Sequence, residues 1–277
     1  MRLLRIKRAL KQSLSGWLAG RGYQIRKIKA FDETDAPSVF EIQRLLAAST
    51  GKRPVILDVG ANRGETIRRY RSLFPDSEIH AFEPVKDFYL ECLRGSPEDA
   101  GLVMNNIALG DSEGVAMFHE TVGGQSSSLL QKSDLIPFYF SAGDFAEART
   151  YAVQTMTVDA YCRKMKIGEI DILKLDAEGY ELNILKGARD FLEAGRIRQI
   201  YTEVNFERFW SNGVLYHHLA NFLEGYGMDL FALYGIGSGA LGASRSGDAL
   251  FLKSLDKRRL LDEAANSQKH KAPRFRS

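Results

Sequence analysis

The sequence predicts an α/β chain built on a mostly parallel sheet with helices on both faces. Three observations carry that expectation. Short apolar runs of strand length alternate with stretches of helical periodicity. The runs are near-continuously apolar, as strands covered on both faces require. The first of them ends in glycine and asparagine, residues that let a chain turn sharply from strand to helix. The 277 residues, 44% hydrophobic and 26% charged, exclude a disordered, collagenous or simple coiled-coil chain and are enough to bury a sizeable core. Cys92 and Cys162 do not make a disulfide framework, so a reducing compartment is expected. No apolar run approaches the roughly 18–20 residues of a membrane-spanning helix. The first 20 residues break their leucines with Arg and Lys and do not read as a signal peptide. A cytoplasmic location is expected.

In chain order, Leu3, Ile6, Leu10, Leu14 and Trp17 recur at helical spacing with Arg2, Arg5, Arg8 and Lys11 between them. Such a basic amphipathic helix either packs on the body or lies on an anionic membrane surface. Gly20 and Gly22 end it, and FDETDAPS (31–38) reads as an acidic linker. Ser38 and Glu41 form a capping box for a helix over 39–48. PVILDVGA (54–61) is the first buried strand, 66–74 a helix, SEIHAFEP (77–84) the second strand, 85–93 a helix and GLVMNNIALG (101–110) a third strand. VAMFHE (115–120) is a short strand, GGQSSS (123–128) a flexible loop, and 129–150 has no clear pattern. YAVQTMTVDAYC (151–162) begins as strand and ends as helix. IDILKLDAEG (170–179) and IRQIYTEVN (197–205) return as buried strands, with a helix over 180–187 between them. A helix near 215–225 precedes MDLFALYG (228–235) and DALFLKS (248–254), which read as an antiparallel hairpin at the sheet edge. The organisation is an N-terminal helical arm (1–50), one Rossmann-like domain (51–254) and a basic, mobile tail (255–277).

The net charge of +3 hides an asymmetry. Residues 1–29 carry nine Lys and Arg and no acid, residues 253–277 carry eight against three, and the body between them is acidic. An acidic body opposes nucleic acid as substrate, since phosphate contacts dominate such affinity.

The first strand runs into Asp58-Val59-Gly60-Ala61-Asn62-Arg63-Gly64. Gly60 and Gly64 allow a tight turn, and Asn62 tolerates positive φ. Glu83, nineteen residues after Gly64, ends the second strand, where a carboxylate can accept both hydroxyls of a ribose. This is not the GxGxxG loop of a dinucleotide site. An acid ahead of the first glycine would repel pyrophosphate but suits a cofactor with an amino group and a sulfonium charge. S-adenosylmethionine has both, with a ribose besides.

With these residues in place, the chain resembles the FkbM family of S-adenosylmethionine-dependent methyltransferases over about residues 55–205. The resemblance rests on ILDVGANRG (56–64), AFEP (81–84), NIALGDSEG (106–114), SSSL (126–129), TMTVDAY (155–161), DILKLDAEGYELNILKGA (171–188) and YTEVN (201–205). It implies a class I methyltransferase fold and methyl transfer to oxygen, on a saccharide, glycolipid or natural-product acceptor. The expected cofactor residues are Asp58, Gly60, Ala61, Asn62, Gly64, Glu83, Asn106 and Asp176.

Ligands of a doubly wound sheet bind outside the carboxyl ends of its strands. Asp176 and Glu178 follow one strand end and Glu203 lies at another, so these three are the expected catalytic residues. Asp176 stands at the cofactor–substrate junction, to orient the methionine end, act as base or ligate a metal. An acceptor hydroxyl needs a base, worth typically 10²–10⁴-fold. Glu178 also reads as a carboxylate favouring a helix N-terminus, and Glu181 as a helix-surface residue. Lys174, inside an apolar strand, needs an acidic partner. The three acids suit Mg²⁺ as oxygen donors, yet no compact metal motif is present and a metal-free site is favoured. His80, His119, His217 and His218 read as core, surface or capping residues. Two other functions stay open: a nicotinamide-dependent oxidoreductase, disfavoured by Asp58, and a cofactor-binding scaffold without turnover.

Overall fold

The computed structural model describes residues 37–271 apart from 97, 125, 141–145 and 240–241. The predicted basic helix near the N-terminus and the acidic linker lie largely outside the described residues. The chain divides into Met1–Ser38 and Val39–Ser277, and every element below belongs to the second unit.

Helix α1 (Val39–Ala48) buries Val39, Ile42, Gln43, Leu46 and Ala47, the i, i+3, i+4, i+7, i+8 stripe of an amphipathic helix. That stripe packs on Leu250 and Leu252, so α1 is part of the body. The arm-to-domain boundary expected at residue 50 therefore moves to Ser38. After α1 come β1 (Val55–Val59), α2 (Glu65–Leu73), β2 (Glu78–Phe82), α3 (Lys86–Gly95) and β3 (Leu102–Asn105). The stretch 101–110 is not one strand. It breaks after β3, and β4 (Ala108–Leu109) joins β5 (Gly114–Thr121) and β6 (Glu147–Met156) in a separate sheet of order β4-β6-β5. The break is fixed by Asn106, whose side-chain amide donates to the carbonyls of Glu83 and Pro84 at 2.8 and 3.0 Å. The unpatterned 129–150 holds the short α4 (Ile136–Tyr139) and the start of β6.

The main sheet continues with α5 (Val158–Met165), β7 (Ile170–Leu175), α6 (Glu181–Lys186), α7 (Arg189–Glu193), β8 (Ile197–Asn205), α8 (Tyr216–Glu224), β9 (Met228–Tyr234), β10 (Ser246–Lys253) and α9 (Ser254–Lys271). Its order is β3-β2-β1-β7-β8-β10-β9. All neighbours are parallel except β10, which runs antiparallel to both β8 and β9, so the hairpin forms at the edge as expected. Strand β1 shows why both faces are covered. Leu57 and Val59 enter the core shared with α5 to α8, while Ile56 enters the one beneath α1 and α2. The strand order reverses between β1 and β7, which opens the crevice where ligands bind.

The C-terminal segment departs from the expected mobile tail, since 254–271 is helical. Asp256 on its first turn ion-pairs with Arg198 at 3.1 Å, Arg198 in turn faces Asp171 at 3.6 Å, and Lys257 donates to the Leu230 carbonyl at 2.8 Å. Its few apolar residues hid this helix, because beside the packing of Leu260 on the core that α1 covers it is attached by charged residues. Among the described residues, no helix is long and apolar enough to cross a membrane.

Candidate functional site

The crevice at the switch point is built from two turns that nearly touch. After β1 the chain takes left-handed conformations at Gly60 (φ 75°), Asn62 (φ 47°) and Gly64 (φ 76°). A Cβ on Gly60 would lie 1.9 Å from the Asp176 carbonyl oxygen, so only glycine lets the turn after β1 pass the turn after β7. The amides of Gly60 and Ala61 donate to the Phe82 carbonyl, both at 3.0 Å, which ties this turn to the end of β2.

Glu83 follows β2, 5% exposed. Its Oε2 accepts the Asn62 amide at 2.7 Å and its Oε1 the Val85 amide at 2.8 Å. Burial pushes its pKa up to about 7, against those two amides and the Lys174 charge. Each oxygen has a second lone-pair direction left for a ligand donor. Glu83 lines a cleft of about 620 Å³, counting its open mouth, together with Gly60, Asn62, Asp176 and Glu178. The other wall is apolar, from Val85, Ile107, Leu109, Phe118 and Leu129. A polar end with three carboxylates and an apolar wall opposite suit a nucleoside-bearing cofactor.

The remaining expected cofactor residues do not line the cleft. Asp58 is 0% exposed and lies 3.2 Å from Lys174 Nζ, beneath the turn. The expectation that it meets the cofactor is corrected by strand parity, which faces it toward α1 and α2 with Ile56. Ala61 is buried against Ile56 and Ile79, Gly64 caps α2, and Asn106 shapes the Glu83–Pro84 backbone from outside.

The expected catalytic residues do converge. Carboxylate oxygens of Asp176, Glu178 and Glu203 lie within 4.8 Å of one another. Lys174, 5% exposed, reaches this cluster from below. Its Nζ donates to the Gly60 carbonyl at 3.0 Å and pairs with Asp176 Oδ2 at 3.4 Å and with Asp58, as its position in an apolar strand required. Glu178 and Glu203 both hold their protons well above the ordinary carboxyl range. Burial is the main cause for each, followed for Glu178 by Asp176 and Glu181, and for Glu203 by Glu178 and Asp176. Glu203 Oε2 is buried without a hydrogen-bond partner among the described residues. Three oxygens so placed fit the donor chemistry of a hard divalent cation. Protons on the two glutamates and the Lys174 ammonium on Asp176 neutralise the cluster equally well, so its charge does not demand a metal.

Two contributors, Glu181 and Trp210, were not visible beforehand, whereas the loop over 123–128 was expected to fold over the site. Glu181 is 3% exposed rather than on a helix surface, and its Oε1 accepts the amides of Ala177 and Gly179. Ser128, within the expected flexible loop, donates from Oγ to the Glu178 carbonyl at 2.8 Å. Trp210 covers Gly179, where a Cβ would come within 2.4 Å of its ring. Gly124 and Ser127 bring that same loop to the cleft mouth. His80 is buried between Tyr161 and Glu78, His119 bonds Thr150, and neither they nor His217 and His218 line the cleft.

Comparison with known proteins identifies the family. The family described as "Methyltransferase FkbM domain" matches residues 58–230. A curated relative, 2-O-methyltransferase NoeI of Sinorhizobium fredii (strain NBRC 101917 / NGR234), is 27% identical over 165 residues, which span 57% of this chain and 65% of the relative. The matched region thus falls short of two thirds of that relative's length. Among solved structures, a fibrillarin/Nop5p complex aligns with TM-score 0.42 and 13% identity over 77% of this chain and 82% of that one. Magnesium protoporphyrin IX methyltransferase from Synechocystis PCC 6803 aligns with TM-score 0.38 and 9% identity over 76% and 77%. Both alignments are too loose to bear on the site. The family match covers more than half of the chain and includes the turn after β1, Glu83 and all three clustered carboxylates, and the protein belongs to the FkbM methyltransferase family.

Proposed function

We infer that the protein is an S-adenosylmethionine-dependent O-methyltransferase acting on a hydroxyl of a neutral polyhydroxy acceptor of the saccharide, glycolipid or natural-product class. The observation that carries this reading is the convergence of Asp176, Glu178 and Glu203 beside the cleft that Glu83 lines. The cofactor, when bound, supplies an electrophilic methyl group on a positively charged sulfur. Glu83 is assigned to the ribose hydroxyls, the apolar wall to the base, and Asp176, at the turn crossing Gly60, to the cationic end. Glu178 and Glu203 are assigned to the acceptor. Burial and the neighbouring acids raise the proton affinity of both carboxyls, so whichever of the two is ionised when the acceptor binds is the better able to take its hydroxyl proton. A neutral acceptor fits because an anionic group would add charge to a cluster whose carboxyls burial already disfavours in ionised form. The relative named as a 2-O-methyltransferase supports oxygen as the methylated atom.

The test is release of S-adenosylhomocysteine in the presence of neutral glycosides and aliphatic polyols, with Glu178→Gln and Glu203→Gln beside the wild type. Loss of a base should lower turnover 10²–10⁴-fold while S-adenosylhomocysteine affinity changes little. Full turnover in both variants would remove the acidic base. The basic segment 1–29 is proposed to hold the enzyme peripherally on anionic membrane, where lipid-linked acceptors are presented. Co-sedimentation with anionic liposomes that disappears on deleting it supports this, and unchanged co-sedimentation refutes it.

A further inference from the structure

Glu178 is aimed by an unusual piece of backbone. Two consecutive residues in the turn after β7, Glu178 (φ 52°) and Gly179 (φ 90°), are left-handed, a conformation that costs a non-glycine residue roughly 1–2 kcal/mol. Something must hold Glu178 there. Trp210 against Gly179 and the Ser128 hydroxyl on the Glu178 carbonyl restrain the turn from outside. The restraint from inside is Glu181, whose Oε1 accepts the Ala177 amide at 2.8 Å and the Gly179 amide at 3.2 Å. These are the amides on either side of Glu178. One carboxylate oxygen thus clasps both shoulders of the residue whose side chain enters the acidic cluster.

The arrangement is costly for a purely structural brace. Glu181 is almost wholly buried, and burial pushes its pKa up to about 7. A carboxyl in that position adds negative charge beneath a cluster that already holds Asp176, Glu178 and Glu203. It is not among the residues lining the cleft. Among the described residues, its carboxyl accepts the amides of Ala177 and Gly179 in the turn and that of Glu181 itself at the start of α6.

We propose that Glu181 is a positioning residue, whose carboxyl grips the amides flanking Glu178 and so fixes where the Glu178 carboxyl meets the acceptor. This rests on the methyltransferase reading above. Three variants separate the possibilities. Glu181→Met keeps the buried volume but accepts no hydrogen bond, Glu181→Gln keeps an accepting oxygen, and Glu178→Gln removes the carboxyl being aimed. The full-length protein saturated with S-adenosylhomocysteine is followed by amide hydrogen exchange at Ala177 and Gly179. Turnover is measured with S-adenosylmethionine and a neutral glycoside that the wild type methylates.

In Glu181→Met, exchange at both amides should rise at least tenfold. Turnover should fall at least tenfold, while S-adenosylhomocysteine affinity and thermal midpoint shift little. Glu181→Gln should recover most of the protection and of the turnover. Unchanged protection in Glu181→Met, or a turnover loss that follows cofactor affinity and melting temperature together, would overturn the proposal. So would a Glu181→Gln variant as impaired as Glu181→Met. A wild type that methylates no acceptor would instead fail the methyltransferase reading, and the exchange data would still decide whether Glu181 holds the turn.

Discussion

Replacing Glu83 examines the cofactor end of the site with an effect that follows from its geometry. Both of its oxygens already accept a backbone amide, from Asn62 at 2.7 Å and Val85 at 2.8 Å, so the carboxylate is held rigid before any ligand arrives. Each oxygen can take one further donor, and hydrogen bonds to a charged group are worth about 1.5–3 kcal/mol apiece. Glu83→Ala removes both acceptors and should weaken S-adenosylmethionine at least tenfold, or about 1.4 kcal/mol, with roughly twice the single-bond value as the ceiling. Glu83→Gln keeps one accepting oxygen and should lose about half as much free energy. Because burial holds the Glu83 proton up to about pH 7, hydroxyl donors that favour its ionised form should bind better above that pH than below it. Calorimetric titration of S-adenosylmethionine and S-adenosylhomocysteine from pH 6 to 8, in buffers of different ionisation enthalpy, reads both the affinity and the proton released. Affinities of the two folded variants within twofold of wild type, with no proton release, would refute the ribose assignment.

Two further outcomes follow from the same geometry. Gly60→Ala places a Cβ 1.9 Å from the Asp176 carbonyl at φ 75°, so it should destabilise the fold by several kcal/mol and abolish cofactor binding; wild-type melting and affinity would contradict the packing of the two turns. The folded state holds the Glu83 proton to about pH 7 against an ordinary carboxyl value of 4.5, so it binds more protons than the unfolded chain in that window. Stability should therefore fall as pH rises from about 4.5 to 7, by about 3 kcal/mol from Glu83 alone. Urea denaturation of wild type and Glu83→Gln at pH 5 and 8 checks this, and parallel pH dependences would contradict it.

Much of the sheet was legible because its strands are buried on both faces and so read as continuous apolar runs, as in VILDV and IDILKL. The clustered acids were legible from one rule, that residues just beyond parallel strands share the ligand crevice. Asp58 was misassigned because proximity to the glycine turn says nothing about which face a strand residue takes. Parity sends it under α1, where Lys174 neutralises it. Glu181 was hidden for the opposite reason. On helical periodicity it is an ordinary first-turn acid, and only the left-handed pair at Glu178 and Gly179 turns two free amides toward it. Helix α9 escaped notice since its attachment runs through Asp256 and Lys257, charged residues that in sequence look like a solvated tail.

The most direct test of the account follows the methyl carbon itself. The enzyme is incubated with S-adenosylmethionine labelled with ¹³C in its methyl group and with neutral glycoside acceptors. The product is then read by carbon NMR, which distinguishes a methyl on oxygen from one on nitrogen or carbon. An O-methyl signal that depends on enzyme and acceptor and fades in Glu178→Gln and Glu203→Gln is expected. Label that stays on the cofactor despite tight binding would leave a binding protein without turnover, and label on nitrogen or carbon would contradict the assignment of an acidic base to a hydroxyl acceptor.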